Sequence, residues 1–435
     1  MQADESVFLR RFRLSYSGIN CAADAVRIMK DVIVIGAGAS GLMAAYAAAK
    51  NGNKVTVIEK NEKAGKKIYI TGKGRCNVTN DTTPEGFLEN IVRNAKFMTG
   101  CAHTFSPERM MRFLEEGGLA LKVERGNRVF PISDKASDVT KCLERYCVGA
   151  GVSFHYGEEV LALERNAGGG FTIRTAKTQY EADAVIVCTG GISYPATGST
   201  GDGYAFADKF GLKVNKLIPA LCGIVCEMSE IQSLQGLTLK NVRITAKNVQ
   251  KEVGSFFGEM LFTHFGVSGP IVLSLSSLLN TTEDFSSIDL RIDFKPALDA
   301  ETLDRRILRD FEKYKNKQIQ NAVVDLLPKS LILPVLRQAG IAPDLPIHSC
   351  SKKVRRQLVE TIKAFKLAAV SLRPIEEGIV TAGGVDVRQI NPKTMECRSI
   401  PGLYFCGEVL DVDAFTGGFN LQIAFSTGFC AGNSV

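Results

Sequence analysis

Histidine is scarce here: four residues in 435, and His103, His155, His264 and His348 stand too far apart to write a metal cluster into the sequence. None of the twelve cysteines forms Cys-x-x-Cys, so a redox disulfide pair and a zinc or iron–sulfur cage have no local signature. Several cysteines, such as Cys188 and Cys406, lie in apolar runs as small hydrophobes, and this usage matches a reducing cytoplasm. No apolar run approaches the ~20 residues that span a bilayer. Residues 1–28 carry Arg10, Arg11 and Arg13 but no continuous apolar core, so they do not read as a secretory signal. They are expected to be an extension outside the fold, with Met29 as a candidate start. Gly-x-Ser-x-Gly and Walker-type Gly-Lys-Ser/Thr are both missing, which removes the sequence support for elbow hydrolases and P-loop enzymes. What remains is a soluble-looking chain, 45% hydrophobic and 23% charged, long enough for two or three domains.

Its most informative stretch begins at Val32-Ile33-Val34-Ile35. This β-branched run breaks into Gly36-Ala37-Gly38-Ala39-Ser40-Gly41 and then an alanine-rich helical pattern. A second run, Lys54-Val55-Thr56-Val57-Ile58, ends on Glu59. Gly36 permits a tight turn, Gly38 lets backbone approach a pyrophosphate, and Gly41 lets helix and strand pack closely. The helix start holds negative charge, and Glu59 can accept from a ribose hydroxyl. A lone glycine triplet is weak, but with strand, helix and acid in register it predicts an adenine dinucleotide site.

Three features choose FAD over a nicotinamide dinucleotide as the resident cofactor. The unit opens the fold. Near the C-terminus, Leu403-Tyr404-Phe405-Cys406-Gly407-Glu408 is a strand ending in glycine and a carboxylate suited to a ribityl hydroxyl. The turn Gly417-Gly418-Phe419-Asn420 then starts a helix whose N–H groups can meet the cofactor. No second complete module exists. Gly198-Ser199-Thr200-Gly201-Asp202-Gly203 follows no strand directly and reads as a loop near the flavin.

The expected architecture is α/β: a discontinuous Rossmann-type FAD-binding domain with an inserted β-rich, barrel-like domain and a helical cap. Residues 29–214 and 373–435 form the FAD-binding domain, 215–299 the β-rich substrate domain, and 300–372 the helical insertion. Short runs at Val152-Ser153-Phe154, Val160–Leu163 and Phe171–Ile173 read as a β-meander, ahead of a buried strand, Ala184–Cys188, that ends in Thr189-Gly190-Gly191. Expected cofactor contacts are Gly36, Gly38, Ala39, Ser40, Gly41, Glu59 and Lys60, then Arg75, Cys76 and Asn77 on a glycine-flanked loop. Val160, Thr189, Gly190, Gly191, Gly407, Glu408, Gly418, Asn420 and Leu421 complete the set, and no metal is expected.

Several motifs carry a resemblance: Thr71-Gly72-Lys73-Gly74-Arg75-Cys76-Asn77, Arg128-Val129-Phe130-Pro131, Leu261-Phe262-Thr263-His264-Phe265-Gly266, Thr381-Ala382-Gly383-Gly384-Val385, and Gly407–Asp411 through Gly417–Gln422. From Met29 to the C-terminus the chain resembles the bacterial BaiN/RdsA-type NAD(P)/FAD-dependent oxidoreductases. The resemblance implies a flavin domain, a barrel-like domain, a helical portion, and NADH or NADPH as co-substrate. Its best-known line reduces conjugated double bonds of 3-oxo-4,6-diene bile acid intermediates in secondary bile acid formation, so a steroid-like small molecule is the expected substrate.

For such a reaction an acid must protonate the α-carbon and donors must hold the developing enolate oxygen. Tyr194 and His264 are the candidates, each with a plain structural role as the alternative. An oxygen-using oxidase of small amines or aminoketones stays open. So does a nucleic-acid-associated flavoprotein, because residues 301–366 hold fourteen Lys/Arg against seven Asp/Glu, matching the entire formal excess of +7. A solvated helical face is the plainer reading of that segment. It lacks the interleaved aromatics of a stacking platform, so nucleic acid is not the expected partner. No membrane partner is expected, and the oligomeric state is not legible.

Overall fold

The computed structural model describes residues 29–229, 231–249 and 251–435; the extension 1–28 lies outside the described residues. Five parallel strands form the central sheet, in the order Leu403–Phe405, Ala184–Val187, Asp31–Ile35, Lys54–Glu59, Ser153–Tyr156. The two innermost strands are buried almost throughout, which is why their runs are continuous Val and Ile rather than alternating. This is a Rossmann-type sheet that unites strands from near the first and last described residues.

The helix Ala39–Lys50 packs against the C-terminal helix Phe419–Ser434, and small residues set the separation. A Cβ on Gly428 would lie 2.3 Å from the Ser40 carbonyl oxygen, and one on Gly432 2.1 Å from that of Ala44. The four-residue spacing places both glycines on one helix face.

The second unit is a seven-stranded antiparallel sheet. Its order is Phe365–Leu367, Ile288–Asp293, Thr238–Asn248, Lys251–Thr263, Gly266–Ser268, Ile224–Cys226, Ala369–Leu372. The two edge strands follow one another in sequence, separated only by Ala368, so the sheet curls until its edges meet there. That is the barrel-like unit expected. A two-stranded ribbon, Val214–Ala220 with Val380–Val385, connects it to the FAD domain. Arg93 also ties the units, bonding Asp413 at 2.8 Å and Asn280. Phe256 meets Phe415 edge-on, with ring centres 5.3 Å apart.

Two assignments need correction. Ser153–Tyr156 is the fifth strand of the parallel sheet, not part of the meander, which is confined to 160–182. The helical insertion ends at Lys363, not 372. Beyond it Phe365 and Leu367 are buried and Lys366 exposed, the alternation of a strand completing the barrel. Among the described residues no helix is long and apolar enough to cross a membrane.

Candidate active site

The first glycine turn behaves as its spacing demands. Gly36 has φ +100°, and a Cβ there would sit 2.7 Å from the Cys188 carbonyl oxygen. A Cβ on Gly41 would stand 1.9 Å from the Gly36 carbonyl oxygen, so that glycine allows the helix to start against the turn. Gly38 differs: a Cβ there meets nothing within 4 Å, because it would project into open space. That space is a cavity of about 1260 Å³, counting the volume open to solvent at its mouth.

Twelve of the expected cofactor residues line this cavity: Gly36, Gly38, Ala39, Ser40, Glu59, Lys60, Val160, Thr189, Gly190, Glu408, Asn420 and Leu421. Glu59 is buried, with Oε2 accepting from the Ala37 N–H at 2.7 Å and Oε1 from the Asn61 N–H at 2.8 Å. Asn61 Nδ2 also donates to Oε1 at 2.7 Å, so Oε2 keeps the lone pair that can accept from a ribose hydroxyl. Asn420 clamps the preceding loop by accepting from the Ala414 N–H at 3.0 Å and donating to the Ala414 carbonyl at 2.8 Å.

Gly41, Gly191, Gly407 and Gly418 are not on the lining, yet they bring its walls together. A Cβ on Gly191 would lie 2.3 Å from Thr381 Oγ1, and one on Gly407 2.5 Å from Ser40 Oγ. Gly418 passes so close to the Thr79 carbonyl that a Cβ would be 2.4 Å from its oxygen.

The Arg75-Cys76-Asn77 loop departs from expectation. Arg75 turns outward to Glu124 (2.8 Å) and Asp134 (3.4 Å), its guanidinium 4.1 Å from the Phe130 ring centre. The hydrogen bond to Glu124 holds its pKa above the usual arginine value. The physical cause is local: Gly72 and Lys73 are both left-handed (φ +57° and +59°), which turns the chain away from the cavity. Cys76 is fully buried, and burial pushes its thiol up to about 12, so it packs rather than reacts. Asn77 Oδ1 is buried without a hydrogen-bond partner among the described residues and does not line the cavity.

Neither catalytic candidate lines the cavity, though Tyr194 bonds the turn at its edge. The Tyr194 N–H donates to the Glu376 carbonyl at 3.2 Å; the residue is left-handed (φ +51°) and 38% exposed. His264 is exposed on the hairpin opposite. The hydrogen bond from Arg373 holds Glu377 below the usual carboxylate range, and His264 adds to that pull. Arg373 also lies over the Phe265 ring, 4.6 Å from its centre. The turn continues into Ile379 and Val380, which are in the cavity wall.

Sequence reasoning missed Lys67. Its ammonium donates to both Glu408 oxygens (2.8 and 3.0 Å) and to Ser193 Oγ (2.7 Å) at the cavity wall. Lys66, Thr71 and Asp202 also line it, and Lys60 pairs with Asp202 at 2.6 Å. Their loops carry no periodicity to show which side chains point inward. The glycine-rich 198–203 loop was the available signal, and Gly198, Ser199 and Asp202 are in the wall.

These residues fit FAD. The cradle at Gly38 is empty where a side chain would sit, at the N-terminal end of a helix whose N–H groups can meet a phosphate, and Thr189 Oγ1 on the wall is buried without a partner among the described residues. No group of three or more His, Cys, Asp or Glu among the described residues could hold a metal ion.

The family model described as "HI0933-like protein Rossmann domain" matches residues 30–434. The chain belongs to this family. It is 32% identical to the ribosomal RNA dihydrouridine synthase of Escherichia coli (strain K12), over 92% of this chain and 97% of that protein. The Haemophilus influenzae protein of the same name is also 32% identical, over 93% and 98%. The 3-dehydro-bile acid Δ(4,6)-reductase of Clostridium scindens is 30% identical over 93% and 99%. In fold the chain is similar to the 3-ketosteroid-Δ4-(5α)-dehydrogenase of Rhodococcus jostii RHA1, with a TM-score of 0.51 at 16% identity, covering 95% and 98% of the two chains. The family and the cavity together support FAD as the bound cofactor.

Proposed function

We propose that this protein takes hydride from NADH or NADPH and saturates a carbon–carbon double bond conjugated to a carbonyl, with the uracil base of ribosomal RNA as substrate. The observation that carries this reading is that relatives matched along nearly their whole length are named for two substrates but one bond type. Dihydrouridine is uridine with two hydrogens added across C5=C6, next to the C4 carbonyl. A 3-oxo-4,6-diene presents the same conjugated arrangement on a steroid. Bound FAD would supply the two-electron hydride chemistry.

This chain's residues then have three tasks. Glu59 accepts from the ribose, the N–H groups at the start of the helix Ala39–Lys50 meet the phosphates, and Glu408, held in place by Lys67, accepts from the ribityl chain. Tyr194, held in a strained backbone conformation at the cavity edge, donates its phenol to the substrate's oxygen. His264, beside the Arg373–Glu377 pair, delivers the proton that completes the saturated bond.

RNA is favoured by two relatives at 32% identity and by the net charge of +7. The expectation that nucleic acid is not the partner is therefore set aside. The 3-oxo-4,6-diene steroid is the second reading, supported by the bile acid reductase at 30%. Product detection separates them. The holoenzyme is incubated without oxygen with NADH or NADPH and either ribosomal RNA lacking dihydrouridine or the steroid diene, and products are read by mass spectrometry. Gain of two hydrogens in uridine is the expected result. Gain only in the steroid moves the substrate to the second reading, and gain in neither contradicts double-bond reduction.

A further inference from the structure

We propose that the helical segment 300–363 is an RNA-docking surface. Its contact patch is the cluster of lysines at the turn after the helix Ala300–Lys313 and at the start of the helix Lys352–Lys363. The proposal rests on RNA being the substrate, and its test fails separately from that reading.

Charge pairing divides this segment into two kinds of cation. Arg306 bonds Asp310 at 3.1 Å within one helix, Arg355 bonds Asp304 at 2.5 Å across two helices, and Lys363 bonds Asp293 on the barrel at 2.6 Å, so these acids are already engaged. Lys315, Lys317, Lys329, Lys352 and Lys353 are exposed, and none has a carboxylate within 4.0 Å among the described residues. The cationic excess is thus free at the surface rather than neutralised within the fold.

The fold gathers these lysines. The Ile347 N–H donates to the Lys317 carbonyl at 3.1 Å, and Gln318 bridges Pro346. The Lys315–Lys317 turn therefore runs beside the short stretch that leads through Ser351 into Lys352 and Lys353. Lys313 bonds Asp325 at 2.6 Å, which draws the chain entering Lys329 toward the same turn.

Two features argue that this arrangement serves an anion rather than stability. The helix Lys352–Lys363 is capped by Ser351 Oγ, which accepts from the Val354 N–H, but its first turn has no acid and two lysines at the positive end of the helix dipole. That placement works against the helix. Second, Tyr314 has the Lys313 and Lys317 ammonium groups 4.8 and 4.6 Å from its centre and donates its hydroxyl to Asp325 at 2.8 Å. It is engaged rather than free to stack a base. The patch suits phosphates, contacted without sequence preference, while base selection is left to the flavin cavity.

The test compares the wild-type holoenzyme with a Lys317→Glu, Lys352→Glu, Lys353→Glu variant. Anisotropy of a fluorescein-labelled RNA hairpin is measured across salt concentrations. The variant is expected to bind at least about tenfold more weakly, and its dependence of log affinity on log salt is expected to be shallower by about 2–3. Its flavin content and rate of flavin reduction by NADPH should match wild type. Should charge reversal impair folding, the Gln versions of the same three substitutions give the same shallower slope. Wild-type affinity and slope in the variants overturn the proposal, as does wild-type binding to phosphatidylglycerol vesicles but not to the hairpin. Lysine-dependent RNA binding without dihydrouridine formation keeps the docking surface and removes the substrate reading. Dihydrouridine formation with an unchanged KM for RNA in the variant does the reverse.

Discussion

Gly38→Val is expected to give a folded protein that has lost its flavin. The residue has φ −78° and ψ −170°, an extended conformation open to any L-amino acid, and a Cβ there touches nothing within 4 Å. Folding therefore loses little beyond the roughly 1 kcal/mol by which valine is a poorer helix cap than glycine. The valine methyl groups instead enter the cradle at the start of the helix Ala39–Lys50, where a pyrophosphate would approach backbone N–H groups. Loss of that approach should weaken FAD by at least a hundredfold, about 3 kcal/mol. The check is the ratio of flavin to protein absorbance after gel filtration, with the thermal midpoint measured alongside. A colourless variant melting within a few degrees of the wild-type apoprotein is the predicted outcome. Full flavin retention would place the pyrophosphate elsewhere.

Three residues on, the same kind of substitution should act on the fold. Gly41→Ala puts a methyl group 1.9 Å from the Gly36 carbonyl oxygen, with backbone on both sides of the clash. Gly36 cannot retreat, because it lies against the Cys188 carbonyl of the neighbouring strand. The helix must move instead, and its other face is held by the Gly428 and Gly432 contacts with the C-terminal helix. Overpacking of this kind costs about 3 kcal/mol or more, a large share of the ~5–15 kcal/mol that holds a typical domain. A fall in midpoint of roughly 5–10 °C follows. Gly149→Ala, whose Cβ meets nothing within 4 Å, is the control expected to leave stability almost unchanged. Equal melting of the Gly41 and Gly149 variants would show that the turn is not packed as described.

The contrast between positions 38 and 41 was legible in the sequence because the glycine spacing encodes backbone approach, which depends on main-chain geometry alone. Glu59 and Glu408 were legible for a related reason: each ends a strand of the parallel sheet or follows its final glycine. Side-chain direction on loops was not. Arg75 sits in a motif that suggests a ligand, yet left-handed residues at Gly72 and Lys73 turn it toward Glu124, and no periodic pattern reports that turn. Lys67 was missed because its partner, Glu408, is far away in sequence and joins it only through the fold. The barrel was visible as strand-like runs, but its closure through Phe365–Leu372 was not. Two short strands separated by one residue resemble the end of a helical segment until their partners are known.

Anaerobic stopped-flow absorbance on the holoenzyme tests the central claim most directly. NADH or NADPH should first bleach the visible flavin band, and mixing with RNA containing unmodified uridine should then restore it faster than mixing with air-saturated buffer. A band restored rapidly by oxygen, and by neither the RNA nor a 3-oxo-4,6-diene steroid, would contradict the account and make the protein an oxidase.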